Sequence, residues 1–332
     1  MAALPAAVGA VRTAVRRSLQ RLGLPAGSLI LVACSGGADS LALAAEAAFV
    51  APRIGLAAGL VTINHGLQSG SADRAGQLVA WAATVGLAPA IACAVDATPH
   101  GDGPEAAARS ARYRALAAAA KQTGAVAVLL GHTLDDQAET VLLALTRGSG
   151  PRGIAAMPEV RDQDGVRFVR PLLRVPRRQT VAACADLGLK PWQDPHNDDP
   201  AYARSRLRAA MPALTEVLGD DVVTNLARTA RLVAADAELL DRLADEARPT
   251  VTGPEGGLIV SALSDLPAPL RTRILRSFAL DAGAGAAALG SVHIEALDAL
   301  ITDWHGQGPV GLPGGVRIGR RGDLLLTRRV GL

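Results

Sequence analysis

The sequence predicts an α/β fold: a twisted parallel sheet with helices on both faces, followed by a smaller, mainly helical C-terminal domain. Three observations predict it. Short apolar runs alternate with alanine-rich helical stretches as far as Gly148, the pattern of parallel strands buried on both faces. Polar stretches follow three of those strands ("SGGADS", "NHGLQSG" and "HTLDDQAET"), at the carboxyl ends where open α/β sheets bind ligands. Beyond Gly148 the alternation stops, and from about residue 220 amphipathic helical spacing takes over. The expected domains are therefore 1–215 and 216–332.

The N-terminal "MAALPAAVGAVRTAVRRSLQ" reads as an amphipathic segment without the apolar core and cleavage site of a secretory signal. "SLILVAC" (28–34) is the first strand, and a helix follows over 38–50. "LAAGLVTIN" (56–64) is the second strand, with a helix over 71–86. "PAIACAVD" (89–96) is the third, followed by a helix from Pro104 to Gln122. "VAVLLG" (126–131) is the fourth, with a helix from Leu134 to Arg147. "GSGPRGIAAMP" is loop-like, "VRFVRPLL" is a short extended piece, and Pro176 suits the first turn of a further helix. "PWQDPHNDDPAYARSRLRAAMPAL" runs from a Pro- and Asp-rich loop into a basic helix. At the end, "GPVGLPGGVRIGRRGDLLLTRR" places glycine turns between short β-prone runs.

Composition sets the bounds. The chain has 332 residues and is 49% hydrophobic, ample for buried cores, although only 2% is aromatic. No apolar run reaches the roughly 18 residues needed to cross a bilayer, so no membrane partner is expected. Cys34, Cys93 and Cys184 are odd in number and far apart, which argues against a disulfide framework or a zinc site and suits the cytoplasm. The net charge is only +3, but arginine is clustered. Between Arg147 and Arg178 there are eight arginines against three acids, and between Arg317 and Arg329 five against Asp323. Such clusters suit phosphate or nucleic acid, though an arginine-rich solvated surface would look the same.

The first loop, Ser35-Gly36-Gly37-Ala38-Asp39-Ser40, lies between a strand and a helix start, the usual construction for aiming backbone N–H groups at phosphate. No lysine follows the glycines, so the Gly-Lys-Ser/Thr phosphate loop is not met. Arg109 and Arg112 lie three apart on one predicted helix and share a face, where one would meet phosphate as a permanent fork donor. His132, Asp136 and Glu139 also fall on one helical face, a set open to a metal as well as to a cationic substrate.

Ser-Gly-Gly-x-Asp-Ser after a first strand resembles the signature of the ATP pyrophosphatases, whose fold is adenine nucleotide alpha hydrolase-like. "GHTLDDQAETVLLALTRGSGPRGIAAMP" (131–158) is closer to the tRNA(Ile)-lysidine synthetases. "EAAARSARY" (105–113), "PLLRVPR" (171–177) and "DPHNDDPAYARSRLR" (194–208) match that family in the same order. The resemblance runs from about 28 to 215, weakens in the second domain and returns in the "LPGG" run; with only Val316–Leu332 after it, the chain resembles the family's short form. It implies that ATP activates C2 of the wobble cytidine in the CAU anticodon of an isoleucine tRNA, after which free lysine displaces AMP. Residues 35–40 would hold the pyrophosphate, with Asp39 orienting magnesium or a positive group. Asn64 and His65 would lie against the adenine, His132 would face the nucleotide, and Arg109 or Arg112 would meet the α-phosphate. Asp136 and Glu139 would hold the amino groups of lysine, and one of them would take its proton. Arg147 and Arg152 in the glycine-rich turn, with Arg204 and Arg208 on the basic helix, would contact tRNA. The family carries Asn where this chain has Ser205. A homodimer is compatible with the sequence.

Two other readings share the loop. A tRNA thiolase would need a cysteine pair at the site, and no C-x-x-C is present. A non-catalytic RNA-binding relative would have no use for an intact loop together with both Asp136 and Glu139.

Overall fold

The computed structural model describes residues 3–64, 70–95, 104–193, 199–286 and 288–329. In chain order, α1 (Ala6–Arg21) leads into β1 (Leu29–Ala33), α2 (Ala38–Arg53), β2 (Ala57–Asn64), α3 (Ser71–Thr84) and β3 (Ala90–Ala94). Next come α4 (Pro104–Thr123), β4 (Ala127–Leu130), α5 (Leu134–Thr146), α6 (Gly150–Ile154), the hairpin β5 (Val160–Gln163) and β6 (Val166–Val169), and α7 (Arg177–Asp186). The remainder is α8 (Ala203–Leu218), α9 (Val222–Val251), β7 (Leu258–Ile259), α10 (Val260–Ser264), α11 (Ala268–Asp281), α12 (Ser291–Thr302), β8 (Val310–Leu312), β9 (Val316–Arg321) and β10 (Leu324–Arg329). They form two compact units, Met1–Val141 with Met157–Arg228, and Leu142–Ala156 with Thr229–Leu332.

The first unit is built on a six-stranded sheet in the order β3-β2-β1-β4-β6-β5, parallel except for the antiparallel β5–β6 pair. Side chains alternate between its faces, as the period of two requires. Ile30, Val32, Leu60 and Leu129 pack on one side with α1, α2 and Cys184 of α7. Leu31, Val61, Val128, Leu130 and Phe168 pack on the other against Tyr113, Leu116 and Ala120 of α4. The expected parallel sheet with helices on both faces is thus observed. The N-terminal segment buries Val8, Val11, Val15 and Leu19, spaced as one helical face. Arg12 of α1 holds the buried Glu46 of α2 through two hydrogen bonds of 2.6 and 3.3 Å, which satisfies a carboxylate that would otherwise be costly to bury.

Strand order reverses at β1, with β2 and β3 to one side and β4 and β6 to the other. The carboxyl ends of β1 and β4 therefore flank the crevice where doubly wound sheets bind ligands.

The second unit packs α10, α11 and α12 around Leu263, Ile274, Leu275, Leu297 and Leu300. Its β-prone runs pair as a four-stranded antiparallel sheet, β7-β10-β9-β8, so the mainly helical expectation gains a sheet. Gly314 and Gly315 take φ of +87° and +73° in the turn between β8 and β9, conformations that favour glycine. Cys34, Cys93 and Cys184 are free thiols. Among the described residues, no helix is long and apolar enough to cross a membrane.

Candidate active site

Ser35 to Ser40 form a tight turn between β1 and α2. Gly36 has φ +86°, and its carbonyl accepts the Trp192 N–H at 2.9 Å. Ser40 is committed inside the turn: its hydroxyl donates to the Gly37 carbonyl at 3.0 Å and accepts the Ser35 N–H at 3.1 Å. Its hydroxyl thus shapes the loop, while the N–H groups of Gly37, Ala38 and Asp39 at the start of α2 have no partner within the helix. Gly131, just after β4, lies against this turn. A Cβ there would meet the Ser40 Cα and N at 3.0 Å, so β4 reaches the loop only as bare backbone.

Beside the loop lies a cluster of acids and arginines. At the start of α5, the Asp136 Oδ2 accepts the Thr133 N–H at 2.7 Å and the Thr133 hydroxyl at 2.9 Å. The Asp136 Oδ1 accepts from Arg177 Nη2 at 2.7 Å and from Arg208 Nη2 at 3.2 Å. Glu139, one turn along, accepts at Oε1 from Arg177 Nη1 at 3.2 Å and Arg208 Nε at 2.8 Å, and at Oε2 from Arg208 Nη2 at 3.2 Å. The Arg177 Nε also reaches Asp39 Oδ2 at 3.3 Å, and its backbone N–H reaches Asp135 Oδ2 at 2.7 Å. The other Asp39 oxygen accepts the Thr180 hydroxyl. The positive group beside Asp39 in the structure is Arg177.

Only 3% of the Glu139 side chain and 9% of that of Asp136 are exposed, so these carboxylates depend on their partners. Burial alone would raise the Asp136 pKa, but Arg177, the Thr133 N–H and His132 hold it below the usual carboxylate range. Burial pushes the Asp39 pKa up despite Thr180 and Arg177. Burial would lower that of Arg177, yet Asp136, Asp39, Glu139 and Asp135 together push it up.

A second cluster has the opposite character. Tyr113 of α4 accepts at its phenol oxygen from Arg170 Nη2 at 3.2 Å and from Arg109 Nη2 at 3.5 Å. The Arg109 and Arg112 guanidinium carbons stand 5.1 and 5.7 Å from the centre of its ring. Arg170 is 1% exposed; its Nη1 donates to the Pro158 carbonyl at 2.8 Å, while its buried Nε finds no partner among the described residues. Burial lowers the Arg112 pKa, and the neighbouring Arg109 and Arg204 add to that. Among the described residues no carboxylate forms an ion pair with Arg109, Arg112, Arg170 or Arg204. His132 lies in the field of both clusters. Burial pulls its pKa down to about 3; Asp136 opposes that, while Arg170, Arg112 and Arg109 reinforce it, so the imidazole is neutral, and its buried Nδ1 has no partner among the described residues.

The structure thus brings together Asp39, Asp136, Glu139 and Arg208 in one cluster, and Arg109, Arg112 and Arg204 in the other. Asn64 ends β2, its carbonyl accepting the Val95 N–H at 3.0 Å, and His65 lies outside the described residues. Arg147 and Arg152 belong to the second unit; both are exposed, and Arg152 pairs with Asp241 at 2.7 Å. Sequence reasoning missed Arg177, Arg170 and Tyr113. Arg177 did leave a signal: a cation at a helix start is unfavourable against the helix dipole, so a partner outside the helix should be sought.

Residues 11–214 match the family model described as a PP-loop domain, and residues 258–325 match the TilS substrate binding domain. The chain is 57% identical over 326 residues to the tRNA(Ile)-lysidine synthase of Salinispora arenicola, covering 98% of this chain and 97% of that protein. It is 54% identical over 324 residues to that of Thermobifida fusca, covering 97% and 98%. Among solved structures, the U34-tRNA thiolase NcsA from Methanococcus maripaludis, with its 4Fe-4S cluster, aligns at a TM-score of 0.57 and 19% identity. The alignment covers 68% of this chain and 80% of that one, a likeness of fold alone.

Proposed function

The chain belongs to the tRNA(Ile)-lysidine synthase family, and we propose that its two charged clusters divide the family's reaction between them. It is an ATP-dependent ligase that joins lysine to C2 of the wobble cytidine in the CAU anticodon of isoleucine tRNA. The cytidine O2 attacks the α-phosphorus of ATP, and pyrophosphate leaves. The lysine ε-amine then attacks C2, gives up a proton, and expels AMP.

The observation that carries the division is the contrast between the clusters. Among the described residues, the one around Tyr113 has cations in surplus, and the one around Arg177 sets Asp39, Asp135, Asp136 and Glu139 against two arginines. Phosphoryl transfer needs donors for the α-phosphate and the departing pyrophosphate. Gly36, Gly37, Ala38 and Ser35 supply them on the loop, and Arg109, Arg112 and Arg204 supply them across the crevice. Lysine, with an amine pKa of ~10.4, arrives protonated and is drawn to the carboxylates. Among the described residues, the Asp136 oxygens already accept four hydrogen bonds, whereas the Glu139 Oε2 accepts one, so Glu139 has the room to bind the amine. Neutral His132 stands between the two substrates. The exposed Arg147 and Arg152 meet RNA phosphate, and the free thiols suit work in the cytoplasm.

Magnesium would enter on the nucleotide phosphates and offset their charge there. Each Asp39 oxygen already accepts one hydrogen bond, and among the described residues no group of three His, Cys, Asp or Glu side chains is arranged to hold a metal.

Removing the negative charge should show which substrate the acids serve. Glu139→Gln and Asp136→Asn should raise the lysine KM about 10- to 100-fold, with the ATP KM within about threefold of the native value. Loss of ATP binding with an unchanged lysine KM would end the assignment.

A further inference from the structure

Arg177 has a place that the division of labour above does not use. Its three guanidinium nitrogens each address a different acid: Nε faces Asp39, Nη1 faces Glu139, and Nη2 faces Asp136. Asp39 begins the helix after the phosphate loop, whereas Asp136 and Glu139 lie on α5. One planar fork therefore spans the nucleotide side and the amine side of the site.

The side chain is not the sole anchor of α7. The Arg177 backbone N–H caps onto Asp135, and Thr180, three residues along, donates to Asp39. Cys184 and Ala183 also bury α7 against the sheet core. A cation at this helix start works against the dipole, so local helix energetics do not explain it. What the guanidinium adds is charge and geometry among Asp39, Asp136 and Glu139, of which Asp136 and Glu139 also meet Arg208.

We propose that Arg177 is a positioning residue that holds Asp39, Asp136 and Glu139 in one frame, so that tRNA adenylation and lysine attack share a single geometry. The proposal rests on the lysidine-forming reading of the site. It requires an arginine: a lysine keeps the charge, but a single ammonium cannot present three coplanar donors to three carboxylates.

The test separates the half-reactions. One measurement is single-turnover pyrophosphate release from ATP and CAU-anticodon tRNA with lysine omitted; the other is the lysine KM of the complete reaction. Arg177→Lys should slow the first and raise the second, each by about tenfold or more, whereas Glu139→Gln should alter mainly the second. Thermal melting of Arg177→Lys within a few degrees of native establishes that the variant is folded. Near-native values in both measurements, or an effect on the lysine KM alone, would overturn the proposal.

Should Arg177→Lys fail to fold, Asp39→Asn and Glu139→Gln, singly and together in the native Arg177 background, decide the matter. Their effects on the overall rate should depart from additivity by about fivefold or more if one fork ties them, and additive effects would overturn the proposal. If the native chain itself releases no pyrophosphate with this tRNA, the functional reading fails, and the proposal fails with it.

Discussion

At the scale of single residues, His132 shows how the site sets a protonation state. In the unfolded chain its imidazole takes up a proton near the ordinary value of 6.5, whereas burial in the folded chain pulls that down to about 3. Between the two values the unfolded state binds the proton and the folded state does not. The His132 contribution to stability is therefore whole above pH 6.5 and is lost as pH falls toward 3. His132→Asn should flatten this part of the stability profile, as measured by urea unfolding across that range; an unchanged slope would mean that the native imidazole titrates freely. The residues the sequence made legible are those with chemistry in a fixed pattern: the loop, the Arg109–Arg112 pair and the three-residue face of His132, Asp136 and Glu139. Arg170 and Arg177 were hidden among eight arginines in one stretch, because charge clustering does not say which guanidinium turns inward. Only packing decides that Arg170 is buried against Tyr113.

At the scale of elements, the parallel strands and their helices followed from apolar periodicity, and Pro176 marked the start of α7 as expected. Strand β5 did not, because Val160-Arg161-Asp162-Gln163 lies at the sheet edge with mostly exposed side chains and carries no apolar alternation. Gln137 also escaped notice. Its amide donates to the Met157 carbonyl at 2.8 Å and accepts the Met157 N–H at 2.9 Å, pinning the chain where it returns to the sheet. The junction between β4 and α2 gives an element-scale prediction. A Gly131→Ala side chain would press on Ser40 and Asp39 backbone atoms at 3.0 to 3.1 Å, and backbone cannot rotate aside. Overpacking of this kind should cost about 1–3 kcal/mol, and because the displaced segment is the phosphate loop, the ATP KM should rise while the lysine KM holds. Native melting and native ATP KM together would show that the close approach is not a constraint.

At the scale of the molecule, the first unit carries both clusters and the second gathers Leu142–Ala156 with Thr229–Leu332. The sheet of the second unit was half legible: the glycine turns before and after β9 announced short strands, but β7 has only two residues and pairs with β10 far along the chain. Long-range antiparallel pairing of so short a strand leaves no periodic trace. As a whole, this chain uses ATP to place lysine on the wobble cytidine of isoleucine tRNA. The most direct measurement incubates the protein with ATP, labelled lysine and unmodified tRNA bearing either a CAU or a UAU anticodon, and follows both AMP and label in tRNA. AMP and tRNA-bound lysine should form in equal amounts with the CAU anticodon, and neither with UAU. Equal lysine incorporation into both tRNAs, or none into either, would contradict it.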